Sequence, residues 1–165
     1  MAERLVRRML AFVELGERGS PDVSYAIRLA GQLGAELILF SVIDTPAMMA
    51  LIGTHRAGRG ALPGAGASVG SADGTLTAAL VADAKRILQA IVDEAADQGV
   101  AARGHATVSE EVPEQILKEA IVQQVDLIVI RPSRKRQGFL HLLMGSTVEE
   151  VLEAAPCPVL VAQGG

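Results

Sequence analysis

The sequence predicts an α/β fold in one domain spanning residues 1–165: a doubly wound, five-stranded, mostly parallel sheet with helices on both faces. Two observations carry this. Short apolar runs of strand length alternate with segments whose apolar residues recur every three or four positions, the pattern of successive βα units. Half of the 165 residues are hydrophobic, enough for one continuous core in a chain too short for two comfortable domains. The crossovers between parallel strands are expected to be right-handed.

The first strand is RRMLAFVEL, Arg7 to Leu15, an apolar run bounded by charge and by Gly16, as for a strand buried on both faces. Ser20 then reads as a helix N-cap with Pro21 at the first helical position, and Ala26, Leu29, Ala30 and Leu33 share one face before Gly34. AELILFSVID, Ala35 to Asp44, is too apolar and too β-branched for a surface helix and forms the second strand. From 45 to 74 the chain is dense in Gly, Ala and Ser with no apolar period, so little burial offsets its ordering entropy and a flexible Gly-rich loop is expected. Its GAGASVG lacks dinucleotide-fingerprint spacing and does not directly follow a strand, which favours a linker over a phosphate loop.

Leu76, Leu80, Ala84, Ile87, Ile91 and Ala95 step along an amphipathic helix that ends near Gly99. VAARGHATV, Val100 to Val108, is a third strand, and its lower hydrophobicity puts it at the sheet edge. A third helix runs from Ser109 to Gln124 on a stripe of Val112, Ile116 and Ala120. VDLIVI, Val125 to Ile130, is the fourth strand, and a helix from about Ser146 to Ala154 leads to a closing strand, CPVLVA.

Composition narrows the function classes. A net charge of −4 supplies no general positive potential for nucleic acid, and three Phe, one Tyr and no Trp leave few stacking platforms. Arg4, Arg7 and Arg8 precede an apolar run, MLAFV, too short for a signal-peptide core, and no run reaches membrane-spanning length, so a cytoplasmic protein is expected. The single cysteine, Cys157, lies between Pro156 and Pro158, has no intramolecular disulfide partner, and reads as a buried thiol in a reducing compartment. His55, His105 and His141 have no ligands at metal-site spacing. Ser146 lacks an elbow or triad pattern, and Glu110 and Glu111 read as charges complementing a helix dipole. No constellation requires an enzyme.

Ligands of doubly wound sheets sit outside the carboxyl ends of the strands, where the strand order reverses. The expected lips of that crevice are VELGERGS after strand one and RPSRKRQG after strand four. The second lip carries Arg131, Arg134, Lys135 and Arg136 and leads to Gly145, Ser146 and Thr147, which read as a helix start with N–H groups open to a phosphate. The plainer alternative makes Ser146 an N-cap with Glu149 as its capping-box partner. Gly138 and Gly145 allow close backbone approach.

DLIVI, a loop, and then GFLHLLMGSTVEEVLEAAPCPVLVA resemble the C-terminal signature of the universal stress protein family, and the order of elements agrees over almost the entire chain. The resemblance implies a five-stranded parallel sheet, a homodimer through the last strand, and membership of either a nucleotide-binding or a non-binding group. In binding members a G-x-x-G-nine residues-G-[ST] pattern wraps the phosphates, and an Asp at the end of strand one contacts the nucleoside.

Gly138, Gly145 and Ser146 match here, but the two earlier glycine positions hold Lys135 and Pro132 counted back from Gly145, or about Arg131 and Arg134 counted forward from the strand. The Asp position is Glu14, and Val42 corresponds to the adenine side. Pro132 has no N–H to donate, and β-carbons fill the space in which backbone would curl round a triphosphate. The implied binding set is Glu14, Val42, Arg131, Lys135, Arg136, Gly138, Gly145, Ser146 and Thr147, with altered or lost ATP binding and charge in place of backbone donors. The ligand would be ATP, AMP or another phosphorylated nucleotide. The expected role is regulation in the stress response, without catalysis. The alternative is a ligand-free adaptor that docks an acidic partner through Arg131 to Arg136; slow ATP hydrolysis is a third, weaker reading.

Overall fold

The computed structural model describes residues 3–15, 23–44, 69–131 and 139–162, with residues 69–73 and 139–146 described by their backbone alone. The elements are β1 (Arg8–Phe12), α1 (Ser24–Leu33), β2 (Glu36–Ile43), α2 (Val69–Asp97), β3 (Ala102–Val108), α3 (Val112–Val122), β4 (Leu127–Ile130), α4 (Phe139–Ala154) and β5 (Val159–Val161). All strand pairs are parallel, in the order β3-β2-β1-β4-β5. The expected five-stranded α/β sheet is therefore present, with β3 at an edge.

Period-two alternation sorts the strand residues between two cores. Met9, Ala11, Leu37 and Leu39 pack with Ile27 and Ala30 of α1 and with Leu88, Ile91 and Ala95 of α2. Leu10, Ile38, Phe40, Ile128 and Ile130 pack on the other face with Ile116 and Ala120 of α3 and Val151 of α4. Helices thus cover both faces, which is why β1, β2 and β4 read as continuous apolar runs rather than alternating ones.

Four helix boundaries depart from the sequence reading. α1 begins at Ser24 with Val23 in the cap position and no side-chain cap, three residues beyond the expected start; Ser20 and Pro21 lie outside the described residues. It ends as expected, at Gly34 with φ +62°, whose amide meets the carbonyls of Ala30 and Gly31. α2 starts at Val69, so 69–74 of the expected loop are helical, while 45–68 lie outside the described residues. Helix propagation is far easier than nucleation, so the strong Leu76–Leu80–Ala84 stripe carries the helix back through two glycines that cost about 1 kcal/mol each. α3 is shorter than expected because Pro113 occupies its first turn and Gln124 adopts φ +52°. Ser109 lies before the helix, its Oγ accepting the Glu111 N–H at 3.1 Å. The fourth departure, at α4, bears on the site.

The base of the sheet is pinned by one carboxylate. Asp126 Oδ2 accepts the main-chain N–H groups of Arg7 at 2.8 Å and Arg8 at 3.0 Å, while its own N–H donates to the Arg8 carbonyl at 2.9 Å. Those bonds join the start of β4 to the start of β1. The hydrogen bonds from Arg7 and then Arg8 hold the Asp126 carboxyl below the usual carboxylate range. Nearby, the half-buried Cys157 thiol is pushed up by burial and then by the Asp126 charge.

The edge strand β3 is laced to its neighbours by polar groups. Arg103 Nε meets Glu36 Oε1 at 3.1 Å, Arg103 Nη2 donates to Gln123 Oε1 at 2.7 Å, and His105 Nδ1 lies 3.1 Å from Glu119 Oε1. On the opposite face α2 sits so close that a β-carbon on Gly104 would lie 2.9 Å from the Leu88 β-carbon.

Two outcomes follow from this packing. Gly104→Ala forces α2 away from β3 and is expected to cost about 1–3 kcal/mol, read as a lower urea midpoint with unchanged slope. Asp126→Ala is expected to cost about 1–2 kcal/mol at pH 7, a value already reduced for the partial exposure of the carboxylate. Because the folded-state value is depressed, Asp126 stabilises above the ordinary Asp range, and that contribution fades as pH falls through the lowered value. The variant should therefore show a shallower loss of stability on acidification, and an identical acid limb would sink the assignment.

Candidate functional site

The strand order reverses between β1 and β4. Strands β2 and β3 lie to one side of β1, and β4 and β5 to the other. Since every strand is parallel, their carboxyl ends meet at one border of the sheet. Glu14 lies two residues past β1, Val42 near the end of β2 and Arg131 directly after β4, on three adjacent strands. The β1–β4 register pairs Ala11 with Val129, and its continuation sets Arg131 opposite Val13, beside Glu14. Three of the nine expected site residues therefore lie at the carboxyl border of adjacent strands, each half-buried.

Lys135, Arg136 and Gly138 lie outside the described residues, as do Pro132 and Arg134. The remaining three occupy a position the sequence did not suggest. α4 begins at Phe139, so Gly145, Ser146 and Thr147 fall in its second and third turns. Only the first four N–H groups of a helix lack an intrahelical partner, so the expected helix start at Ser146, and with it the N-cap and capping-box assignment, is corrected. The apolar run FLHLLM contains no breaker after Gly138 and extends the helix, and Gly145 in its interior costs about 1 kcal/mol, too little to stop it. Thr147 is 6% exposed, one turn before the fully buried Val151, so it lies on the inner face of α4.

The start of α3 opens at the same end of the sheet as the crevice, and carboxylates already occupy it. Glu111 stands at the cap position and Glu114 in the first turn. A hydrogen bond with Glu114 pushes the Glu111 carboxyl up, followed by the charge of Glu114 and, more weakly, of Glu150 on α4 and of Glu110. Glu110 and Glu111 do sit where they complement the helix dipole, but they belong to a larger acidic group in which repulsion is felt. Sequence reading singled out only two of its four members, because Glu150 reaches it through the packing of α3 against α4.

A further polar group lies within β2 itself. Ser41, one residue before Val42, is fully buried, and its Oγ has no hydrogen-bond partner among the described residues. A single hydroxyl in an otherwise apolar run was its only signal. Among the described residues no group of three or more His, Cys, Asp or Glu is placed to hold a metal ion, and no helix is long and apolar enough to cross a membrane.

Comparison with known proteins agrees with this architecture. The model of the universal stress protein family matches residues 6–163. Among solved structures, universal stress protein UspA from Lactobacillus plantarum superposes with a TM-score of 0.67 at 19% identity, covering 94% of this chain and 97% of that one. A universal stress protein from Archaeoglobus fulgidus in complex with dAMP gives 0.54 at 19% identity, with 94% and 96% covered. A universal stress protein in complex with cAMP gives 0.58 at 14% identity, with 97% and 98% covered. No curated protein matches the chain.

The acidic group at the start of α3 has a pH consequence. A carboxyl whose folded-state value is raised contributes stability that is complete below its ordinary range and is lost as pH rises through the raised value. Glu111→Gln is therefore expected to raise the melting temperature at pH 7 and to change it little at pH 4. Equal shifts at both pH values would show that repulsion is not the cause.

Proposed function

The chain belongs to the universal stress protein family, and from that premise we propose that it acts as a regulatory protein of the stress response with a nucleotide-type crevice of altered phosphate recognition. The reversal of strand order between β1 and β4 carries the reading, because it sets Glu14, Val42 and Arg131 along one crevice border. A ligand there has an apolar wall at Val42 for a base, a carboxylate at Glu14 for sugar hydroxyls and a cation at Arg131 for phosphate. Related proteins have been solved with dAMP and with cAMP, which supports an adenine nucleotide with one phosphate as the ligand class.

The glycines that would let backbone surround a triphosphate are replaced by Pro132 and basic residues. Side-chain charge from Arg131, Lys135 and Arg136 then takes over, and Arg in particular holds phosphate by paired hydrogen bonds. We assign no catalytic residue. The protein would work in the cytoplasm as a homodimer through β5, whose outer side is open to a second copy.

Calorimetric titration with ATP, AMP and cAMP tests the proposal. AMP or cAMP is expected to bind more tightly than ATP, and the double variant Lys135→Ala, Arg136→Ala to weaken binding about tenfold or more, the equivalent of one lost charged hydrogen bond. Glu14→Ala should weaken the ribonucleotide while leaving inorganic phosphate unaffected. Absence of binding by all three nucleotides would reject the crevice, and salt-sensitive capture of poly-glutamate lost in the same double variant would establish the adaptor reading in its place.

A further inference from the structure

β3 borders the sheet beyond β2, and half of its main-chain polar groups face away from the sheet. The Ala101 carbonyl accepts the Leu37 N–H, and the Ser109 N–H donates to the Ile43 carbonyl. Odd-numbered residues therefore turn their N–H and C=O groups toward β2, and in a parallel ladder Ala102, Gly104, Ala106 and Val108 turn theirs outward. Seven residues of open edge result.

This edge has a shaped wall. A cleft of about 250 Å³ runs beside it, lined by Gly104, His105 and Ala106 of the strand and by Lys85, Leu88 and Gln89 of α2. The outward-bonding residues Ala102, Gly104 and Ala106 carry minimal side chains, so nothing of their own obstructs an approaching strand. Leu88 gives the cleft an apolar floor, and Lys85 is exposed at its rim.

The charges are ordered in depth. The Arg103 and His105 side chains are 51% and 55% exposed, while their carboxylate partners Glu36 and Glu119 are 34% and 10% exposed. The carboxylates are recessed, while the Arg103 guanidinium and the His105 imidazole face solvent. Lys85 takes no ion pair among the described residues. Of the carboxylates on α2 near it, Asp83 pairs with Arg86 at 2.9 Å and Asp93 accepts the Gln89 amide at 2.9 Å. Arg103 on one face of the strand and Lys85 beside the other therefore each carry a positive charge to solvent.

We propose that the outer edge of β3 is a docking site for an extended acidic segment of a partner protein, which adds to the sheet as a sixth strand. Main-chain groups of the added strand meet the outward N–H and C=O groups of Ala102, Gly104, Ala106 and Val108, the mode of recognition known as strand addition. Alternate side chains of the added strand fall on opposite faces. One set enters the cleft over Leu88 beside Lys85, and the other passes the His105 imidazole and meets the Arg103 guanidinium, so carboxylates find Lys85 on one face and Arg103 on the other. This surface is separate from the nucleotide crevice and does not depend on it.

The test uses the full chain and a fluorescein-labelled hexapeptide of alternating Glu and Val, with the matching Lys and Val peptide as control. Anisotropy should report binding of the acidic peptide and none of the basic one. Amide exchange at Gly104, Ala106 and Val108 should slow in the complex, while exchange at Arg103, His105 and Thr107, already bonded to β2, stays constant. Ala106→Pro removes one outward donor and leaves the β2 ladder intact, since proline is tolerated where an edge N–H faces solvent; it should weaken the peptide at least tenfold. Lys85→Glu, on the exposed face of α2, should do the same without touching the strand. No binding up to about 1 mM peptide, or equal binding of the basic peptide, would overturn the proposal and leave the cations as a guard against edge aggregation. Self-association of the chain that Ala106→Pro abolishes would overturn it too, assigning the edge to a second copy.

Discussion

Strand β1 is hydrogen-bonded on both of its edges, to β2 and to β4, and the remaining elements take their places from that constraint. Its Met9 and Leu10 are fully buried on opposite faces, so neither helix layer can be dispensed with. The chain winds outward from β1 through β2 to β3 and must then return to the other side to form β4. Asp126 closes that return by accepting two consecutive main-chain N–H groups, of Arg7 and Arg8, at the start of β1. A parallel pair lacks the tight hairpin that would set its register, so a side-chain anchor at the base of β1 and β4 supplies what local turn geometry cannot. The crevice at the opposite end of these two strands follows from the same reversal. Its position is a result of topology rather than of any residue lining it.

The strands were legible because burial on both faces leaves an unmistakable mark: LIVI, ELILFSVI and RMLAF are too short and too apolar to be anything else in a chain of alternating elements. β3 was legible for the opposite reason, its Arg103, Gly104 and His105 marking it as an edge. Helix ends were less so. Ser20–Pro21 and Gly145–Ser146 are both good local start signals, yet α1 starts at Ser24 and α4 at Phe139. A cap is worth about 1 kcal/mol, too little to fix a helix start where the preceding residues also favour a helix. Local preference at a boundary loses whenever the neighbouring segment is able to continue the helix. The glycines of α2 make the same point in reverse.

The site was legible in part, and the division has a physical cause. Glu14, Val42 and Arg131 lie at the carboxyl ends of adjacent strands, a position legible in the sequence because the strand pattern alone determines where those ends are. Gly145, Ser146 and Thr147 were assigned from a motif that presumes a helix beginning at that point, and α4 begins six residues before Gly145. The consequence reaches the chemistry. Backbone donors committed to a helix are unavailable to phosphate, and the start of α3 is occupied by Glu111 and Glu114. The main-chain N–H groups of Gly145, Ser146 and Thr147 are thus not the resource the motif suggests, and the proposed phosphate recognition rests on side-chain cations instead. The loss of the earlier glycines and the inward placement of the last one point the same way.

The two borders of the sheet pose opposite problems. β5 offers Val159, Leu160 and Val161, all half-buried, an apolar edge compatible with the proposed pairing to a second copy, since a twofold axis would bring identical surfaces together without any charge to oppose them. β3 offers a longer edge on which Arg103 and His105 project outward and Lys85 stands beside the cleft. Pairing that edge with its own copy would bring the Arg103 and Lys85 charges of the two copies toward one another, and like charges facing across strands are destabilising. An acidic strand meets no such penalty and gains a cation on each face. Under the proposed assembly, the two borders would divide the work: β5 would pair with a second copy, and β3 would remain open to a strand of different sequence.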